Sequence, residues 1–386
     1  MISPYTFQPR GRLLDVMRQV GDPDLINLAA GLPSVHCVPK ADLQEAFAAT
    51  LAENADEALG YHVPDGDLRL RELLVDRFRR RGINTSVNQM VITTGCSQAL
   101  HGMIRLIAKP GDVVACEAPA YYSTLEIMGD LGVKVLPIPV RDGDGIDFEL
   151  TQTLFRRFRP RLFVLCSTLS NPSGATVPNE IRKELVELCR ETGTRILEDE
   201  IYGELSEIPN LKPIRAYDDG STVSYVTSFS KTVAPGLRIG VCVPGLDANP
   251  FALQKCQQDM HSATLCEVAF RRYLETGRFD IHLDFLRRLN RERRELGLRI
   301  IKECFPASAK VWEPAGGFLL WVELPSVVQI KQVYKSALAQ KVAFCHGAAF
   351  FTEEQQVPAM RLNCSRPSED DLVKGLKILG QIVQRA

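Results

Sequence analysis

The string S-F-S-K-T-V-A-P-G-L-R-I-G, from Ser228 to Gly240, sets an amine among groups that bind anions. A lysine has a reference pKa near ~10.4. At neutral pH Lys231 therefore becomes a nucleophile only if it is desolvated, placed beside another cation, or committed to a Schiff base with a carbonyl compound. Around it Ser228 and Ser230 offer hydroxyls, Gly236 permits close backbone approach, and Arg238 presents a planar fork suited to a phosphate. An exposed lysine in a polar turn is the ordinary alternative. Against it, V-S-Y-V-T and R-I-G-V-C-V on either side read as short buried strands, so the lysine lies on a connection inside the core. A carbonyl and a phosphate in one ligand point to pyridoxal 5'-phosphate (PLP).

Other strings supply what such a cofactor needs. In V-I-T-T-G-C-S-Q-A-L a strand ends at Thr94, Gly95 turns, and a helix opens at Cys96 and Ser97, a place that suits a phosphate or is simply a capped helix. In L-E-D-E-I-Y, Asp199 closes a strand with Tyr202 one turn on, so the carboxylate reaches a pyridine nitrogen while the phenol reaches the ring's O3' edge. Its neighbours Glu198 and Glu200 are expected to face water. S-N-P-S-G follows another strand, and Asn171 there is either turn chemistry or a donor to O3'. Tyr121, in E-A-P-A-Y-Y, is a stacking partner for the ring or a half-buried aromatic at a helix start. In M-R-L-N-C-S, Arg361 lies inside an apolar stretch and needs a partner, either a substrate carboxylate held bidentately or an internal acid.

Elements must hold these groups together. Short apolar strands are predicted at 90–94, 113–117, 134–138, 162–166, 195–197, 223–226 and 239–243, with amphipathic helices between them. That alternation predicts an α/β fold with a mostly parallel seven-stranded sheet sandwiched by helices. After Pro244 a long helical region runs from about Leu253 to Cys304, followed by two strands, a helix, a further strand and a closing helix, the pattern of a smaller α+β domain. We expect an N-terminal segment over residues 1–40, packed on the small domain, a large domain over 41–275 and a small domain over 276–386.

Bulk composition narrows the class. With 386 residues, of which 45% are hydrophobic, the chain supports two sizeable cores. The 46 Lys and Arg balance 47 Asp and Glu, leaving no field that gathers nucleic acid or an acidic membrane surface. Arginine clusters at 77–81, 156–161 and 287–294 read as solvated helix faces. Eleven cysteines lack zinc spacing and suit a reducing compartment. No secretory leader or membrane span is visible, so a cytoplasmic protein is expected, without metal, membrane or nucleic acid.

Taken in order, these strings resemble the class I/II aminotransferases of PLP fold type I over nearly the whole chain. I-N-L-A-A-G-L-P and L-G-Y-H-V-P-D-G-D-L-R-L-R-E add to the likeness. The L-A-A-G-L-P, S-F-S-K and A-G-G-F-L-L-W strings are most similar to the branch of 2-aminoadipate and kynurenine aminotransferases and the aminotransferase-like half of MocR regulators. The resemblance implies that Lys231 forms the internal aldimine, Asp199 pairs with the ring nitrogen, and Tyr202 and Asn171 serve O3'. It implies that Gly95, Cys96, Ser97, Ser228, Ser230 and Arg238 form the phosphate cup, with Tyr61 reaching the phosphate of the neighbouring subunit of a homodimer. Arg361, aided by Asn171 and bordered by Gly31, would hold the substrate carboxylate. Amino acid and 2-oxo acid would then exchange an amino group by ping-pong kinetics, Lys231 also moving the proton. Cys96, His346 and Cys364 depart from the family's strings, and the last two are expected on the substrate side. Other reactions of the same fold (decarboxylase, β-lyase, cyclising enzyme) and a non-catalytic PLP sensor are the rival expectations. With about twenty-five residues before I-N-L-A-A-G-L-P, a fused winged helix is not expected.

Overall fold

The computed structural model describes residues 2–9, 11–143, 145–352 and 358–386. All seven predicted strands form and lie in one sheet. Its order is Tyr5–Thr6, Lys134–Arg141, Val113–Ala118, Leu162–Leu165, Arg195–Asp199, Val223–Ser228, Ile239–Val243, Val91–Thr94. The short strands Tyr5–Thr6 and Gly145–Ile146, both paired with Lys134–Arg141, make it nine-stranded rather than seven. The five from Lys134–Arg141 to Val223–Ser228 are parallel to their neighbours. Ile239–Val243 runs antiparallel to the strands on both sides.

Both faces are covered, as apolar strands require. Because successive side chains point to opposite faces, Val114, Val135, Val164 and Leu197 enter one buried cluster while Ala115, Leu136, Phe163 and Ile196 enter another. A third cluster under Ile92, Tyr225 and Val241 receives the helices Leu68–Arg80 and Thr264–Glu275.

The predicted long helical region is three helices, Ala248–Asp259, Thr264–Glu275 and Arg278–Cys304. The last break falls at Gly277, whose φ of 71° ends one helix and starts the next. Beyond it, Lys310–Trp312, Leu319–Glu323, Ala359–Asn363 and Cys345–His346 form a four-stranded antiparallel sheet. The N-terminal segment divides: Tyr5–Thr6 belongs to the large sheet, while Ile26–Asn27 pairs in parallel with Val342–Ala343 of this part.

Two expectations about charge fail. Glu198 and Glu200 are 0% and 1% exposed instead of facing water. Glu198 accepts from Ser167 Oγ and the backbone of Ile214 and Arg215, while Glu200 accepts from Thr168 Oγ1 and Arg81, with the buried Arg182 guanidinium beside both. Nor are the arginine clusters wholly solvated. Arg77 bridges Glu204 and Asp280 and stacks over Phe279, and Arg294 joins Glu207 to the Gly317 carbonyl. Long stems let these guanidinium groups bury while their heads stay paired.

Candidate active site

Parallel strands bring their carboxyl ends to one rim, and there Thr94, Ala118, Leu165, Asp199 and Ser228 end side by side. The antiparallel strand Ile239–Val243 begins at that rim instead. In register, Ile239 faces Thr94 and Gly240 faces Ser228. This is why Arg238, distant in sequence from Thr94, donates to its carbonyl at 3.1 Å. Gly240 is needed for the close approach, since a Cβ there would lie 2.5 Å from the Gly95 carbonyl carbon and 2.8 Å from the Cys96 nitrogen.

A cavity of about 540 Å³ opens at the rim. Of the residues singled out from sequence, Gly31, Cys96, Ser97, Tyr121, Asn171, Asp199, Tyr202, Ser230, Lys231, Arg238 and Arg361 line it. Two others stand behind the lining. Ser228 Oγ accepts from the Ser230 backbone N–H at 3.1 Å and bonds its hydroxyl at 2.9 Å, which fixes Ser230. Gly95 sits under Arg238. Tyr61 is elsewhere, 85% exposed with its ring edge-on to His261.

Lys231 donates to the Gly31 carbonyl at 2.7 Å. Burial, with Arg361 nearby, lowers its pKa to about 8, although Asp199 opposes the shift. Burial raises Asp199 to about 6; it accepts from the Ile201 N–H at 3.2 Å and lies 3.6 Å from Cys96 Sγ. Above pH ~6 Asp199 is thus mostly ionised while Lys231 has a usable neutral fraction. Burial also pushes the phenols of Tyr121 and Tyr202 up, so both are proton donors at neutral pH.

Arg361 owes its position to strand alternation. Met360 and Leu362 point into the small sheet's core, whereas Arg361 and Asn363 point the other way and hold the chain near residue 30. Arg361 Nη1 donates to Asn171 Oδ1 at 2.6 Å, Nη2 donates to the Ala29 carbonyl, and the guanidinium lies 5.0 Å from the Phe350 ring centroid. Its Nε has no partner, and among the described residues no carboxylate pairs with it. The internal-acid alternative for Arg361 is thereby removed. With Oδ1 engaged, Asn171 has its amide N–H groups left to donate.

These groups fit PLP. The helix Cys96–Ile107 starts without a side-chain cap, leaving its first N–H groups for a phosphate. Among the described residues Arg238 donates only to main-chain carbonyls, and Asp199 retains acceptor capacity for a ring N–H. Gly95 has φ 79° and ψ 168°, and a Cβ there would meet Arg238 Nη2 at 2.3 Å. That backbone region is nearly closed to other residues. Gly95→Ala is expected to cost about 1–3 kcal/mol of folding stability and to displace Arg238. Cofactor affinity should fall while affinity for phosphate-free pyridoxal stays within a few-fold; denaturant melts and titrations of the two ligands check this.

Sequence reasoning missed Tyr122, Cys166 and the helix Arg12–Val20, whose Leu13, Val16 and Met17 also line the cavity. Their i, i+3, i+4 spacing was the available signal. It misplaced two residues. Cys364 is fully buried in the small sheet's core against the helix position Gly297, and His346 packs edge-on against Tyr334 at 5.6 Å; neither lines the cavity.

A lysine with lowered pKa at the carboxyl rim of such a sheet, facing an uncapped helix and a buried guanidinium without an acid partner among the described residues, defines a PLP-dependent enzyme of fold type I. The chain belongs to the aminotransferases of class I and II, whose family model matches residues 23–379. It is 31% identical over 383 residues to aromatic-amino-acid aminotransferase 1 of Thermococcus litoralis, covering 96% of this chain and 90% of that one. It is 28% identical to the uncharacterised HTH-type transcriptional regulator YjiR of Escherichia coli, covering 97% and 80% respectively. Among solved structures, Pyrococcus horikoshii kynurenine aminotransferase, in complex with PMP, KYN as substrates and KYA as products, superposes with a TM-score of 0.92 at 29% identity, covering 98% of this chain and 95% of that one. Among the described residues no helix is long and apolar enough to cross a membrane.

Proposed function

We propose that this aminotransferase moves an amino group between an L-amino acid and a 2-oxo acid by ping-pong exchange, with Lys231 as the cofactor's covalent anchor and proton carrier. The observation that carries the reading is the juxtaposition of Lys231, lowered to about 8, with Arg361, a buried guanidinium that has no acid partner among the described residues. Ser230, Ser97, Cys96 and Arg238 would hold the phosphate, Asp199 the ring nitrogen, Tyr202 and Asn171 the ring oxygen, and Tyr121 the ring face. When bound, PLP supplies an electron sink for charge developing at the substrate Cα. Arg361 fixes the substrate carboxylate and so orients the Cα–H bond. Lys231 Nζ, once released from its covalent role, takes the Cα proton. Asp199, ionised at neutral pH, favours a protonated ring nitrogen.

Adding an amino donor without an oxo acid should yield one equivalent of 2-oxo acid and leave the enzyme in the pyridoxamine phosphate form. Release of carbon dioxide or of a side-chain fragment instead would reassign the reaction. The likeness to YjiR favours a ligand-sensing role as a second reading; a donor bound without any turnover would select it. Leu59, Tyr61 and Val63 are exposed by 67%, 85% and 49%, an apolar edge suited to a second copy of the chain, which supports a homodimer in which Tyr61 serves the partner's phosphate.

The lowered Lys231 pKa predicts how the cofactor-free protein captures PLP. Only the neutral amine attacks, so the capture rate should rise about tenfold per pH unit and level off near pH 8. Stopped-flow absorbance between pH 6 and 9.5 measures this. A rate still climbing tenfold per unit at pH 9.5 would indicate an ordinary lysine.

A further inference from the structure

We infer that Glu117, which lines no part of the cavity, is a positioning residue for it: its carboxyl group fixes the turn at 170–175 and so aims the Asn171 carboxamide at Arg361 and at the cofactor's ring oxygen. For the roles of Asn171 and Arg361 the inference rests on the aminotransferase reading above. Glu117 lies near the end of the strand Val113–Ala118, whose ladder with Leu162–Leu165 closes at Cys116 and Val164. Beyond that point a side chain takes over from the backbone. Glu117 Oε1 accepts from the Cys166 N–H at 3.2 Å, and Oε2 accepts from Ser170 Oγ at 2.9 Å. One carboxyl group thus ties the strand's end to the loop that leaves it.

The loop needs such a tie. Leu169, next to Ser170, has a φ of 53°, a left-handed conformation that a residue with a Cβ keeps only where its surroundings impose it. The Ser170 N–H donates to the Ala175 carbonyl and the Gly174 N–H to the Ser170 carbonyl, which closes the turn around Asn171. Asn171 Oδ1 then accepts from Arg361 Nη1 at 2.6 Å. From Glu117 through Ser170 and Asn171 to Arg361 every member is buried, and all belong to one chain. Among the described residues no cation pairs with Glu117, and burial, with Asp199 nearby, raises its pKa to about 8. At neutral pH a mostly uncharged carboxyl group therefore makes these contacts, and Asp199 remains the carboxylate that serves the ring nitrogen. Glutamine has the same shape and can reproduce both contacts, accepting from Cys166 and donating to Ser170.

Glu117→Met, Glu117→Gln and Ser170→Ala, each loaded with PLP, test this. The first readout needs no turnover: the pH midpoint of the bound cofactor's visible absorbance. An N–H donated to the ring oxygen stabilises it most once Lys231 Nζ, joined to the cofactor beside it, has lost its proton, so a loosened donor raises the midpoint. Ser170→Ala and Glu117→Met should raise it by about 0.5 pH unit and lower kcat/KM for a panel of L-amino acid donors by roughly three- to tenfold, the effect of one lost hydrogen bond. Glu117→Gln should keep kcat/KM within about twofold of the parent and leave the midpoint in place. Melting curves establish that each variant is folded; should Glu117→Met fail to fold, Ser170→Ala decides alone. Both readouts unchanged in the folded variants overturn the inference and leave the aminotransferase standing. Equal losses in Glu117→Gln and Glu117→Met overturn it as well, because the two contacts would then not be what matters. A raised midpoint in a protein whose parent turns over no donor supports the positioning role and removes the aminotransferase reading instead.

Discussion

Lys231→Ala is expected to slow amino-group transfer by about 10⁴-fold or more, the upper end of what a positioned acid–base group contributes, because the anchor and the proton carrier are lost together. The protein itself should survive. The variant loses one hydrogen bond, to the Gly31 carbonyl, worth about 1 kcal/mol, and is relieved of a partly desolvated amine. PLP should still bind through the phosphate cup, but borohydride should no longer fix it to the chain. Steady-state rates, melting curves and reduction followed by dialysis read these effects separately. Ordinary turnover in this variant would remove the lysine from the mechanism; a collapsed melting transition would make its role structural.

Arg361→Ala should lower kcat/KM for every amino donor by roughly 30- to 5000-fold, corresponding to the ~2–5 kcal/mol seen when one partner of a buried charge pair is truncated. PLP affinity should change little, because Arg361 reaches the substrate side and the Asn171 carboxamide and makes no part of the cup. Lysine cannot supply the two-pronged geometry, so Arg361→Lys should restore only a fraction of the activity. A second readout is independent of turnover. Arg361 helps depress the Lys231 pKa, so without it the pH at which PLP capture levels off should move upward from about 8. Parallel loss of cofactor and substrate binding would show that the guanidinium mainly holds up the fold, through the Ala29 carbonyl.

The sequence was most legible where one short string holds both an element boundary and a reactive group. Lys231, Asp199 and Asn171 each sit just past or at the end of an apolar strand, and parallel strands must end at one rim, so their convergence followed from local pattern and a general packing rule. Arg361 was legible because M-R-L-N alternates core and non-core positions. What remained hidden depends on register and on long-range packing. The antiparallel direction of Ile239–Val243 brings Arg238 back to Thr94, and nothing in the strand's own composition reveals that direction. Glu198 and Glu200 read as solvent-facing because charge is usually exposed, whereas Arg182 and Arg81, remote in sequence, make their burial tolerable. His346 and Cys364 were assigned to the substrate side by neighbourhood in the string. The fold turns them away, Cys364 into the core and His346 toward Tyr334. Leu13, Val16 and Met17 show the converse case, an ordinary amphipathic spacing whose apolar face, half-buried at Leu13 and Val16 and exposed at Met17, happens to be the wall of the cavity.

Peptide mapping after borohydride reduction of the PLP-loaded enzyme, with and without prior addition of L-amino acid donors, tests the central claim most directly. A phosphopyridoxyl label confined to Lys231 in the untreated enzyme, and absent once the donor has been added, is the predicted result. A label on another lysine, or one on Lys231 that persists unchanged in the presence of every donor, would contradict the account.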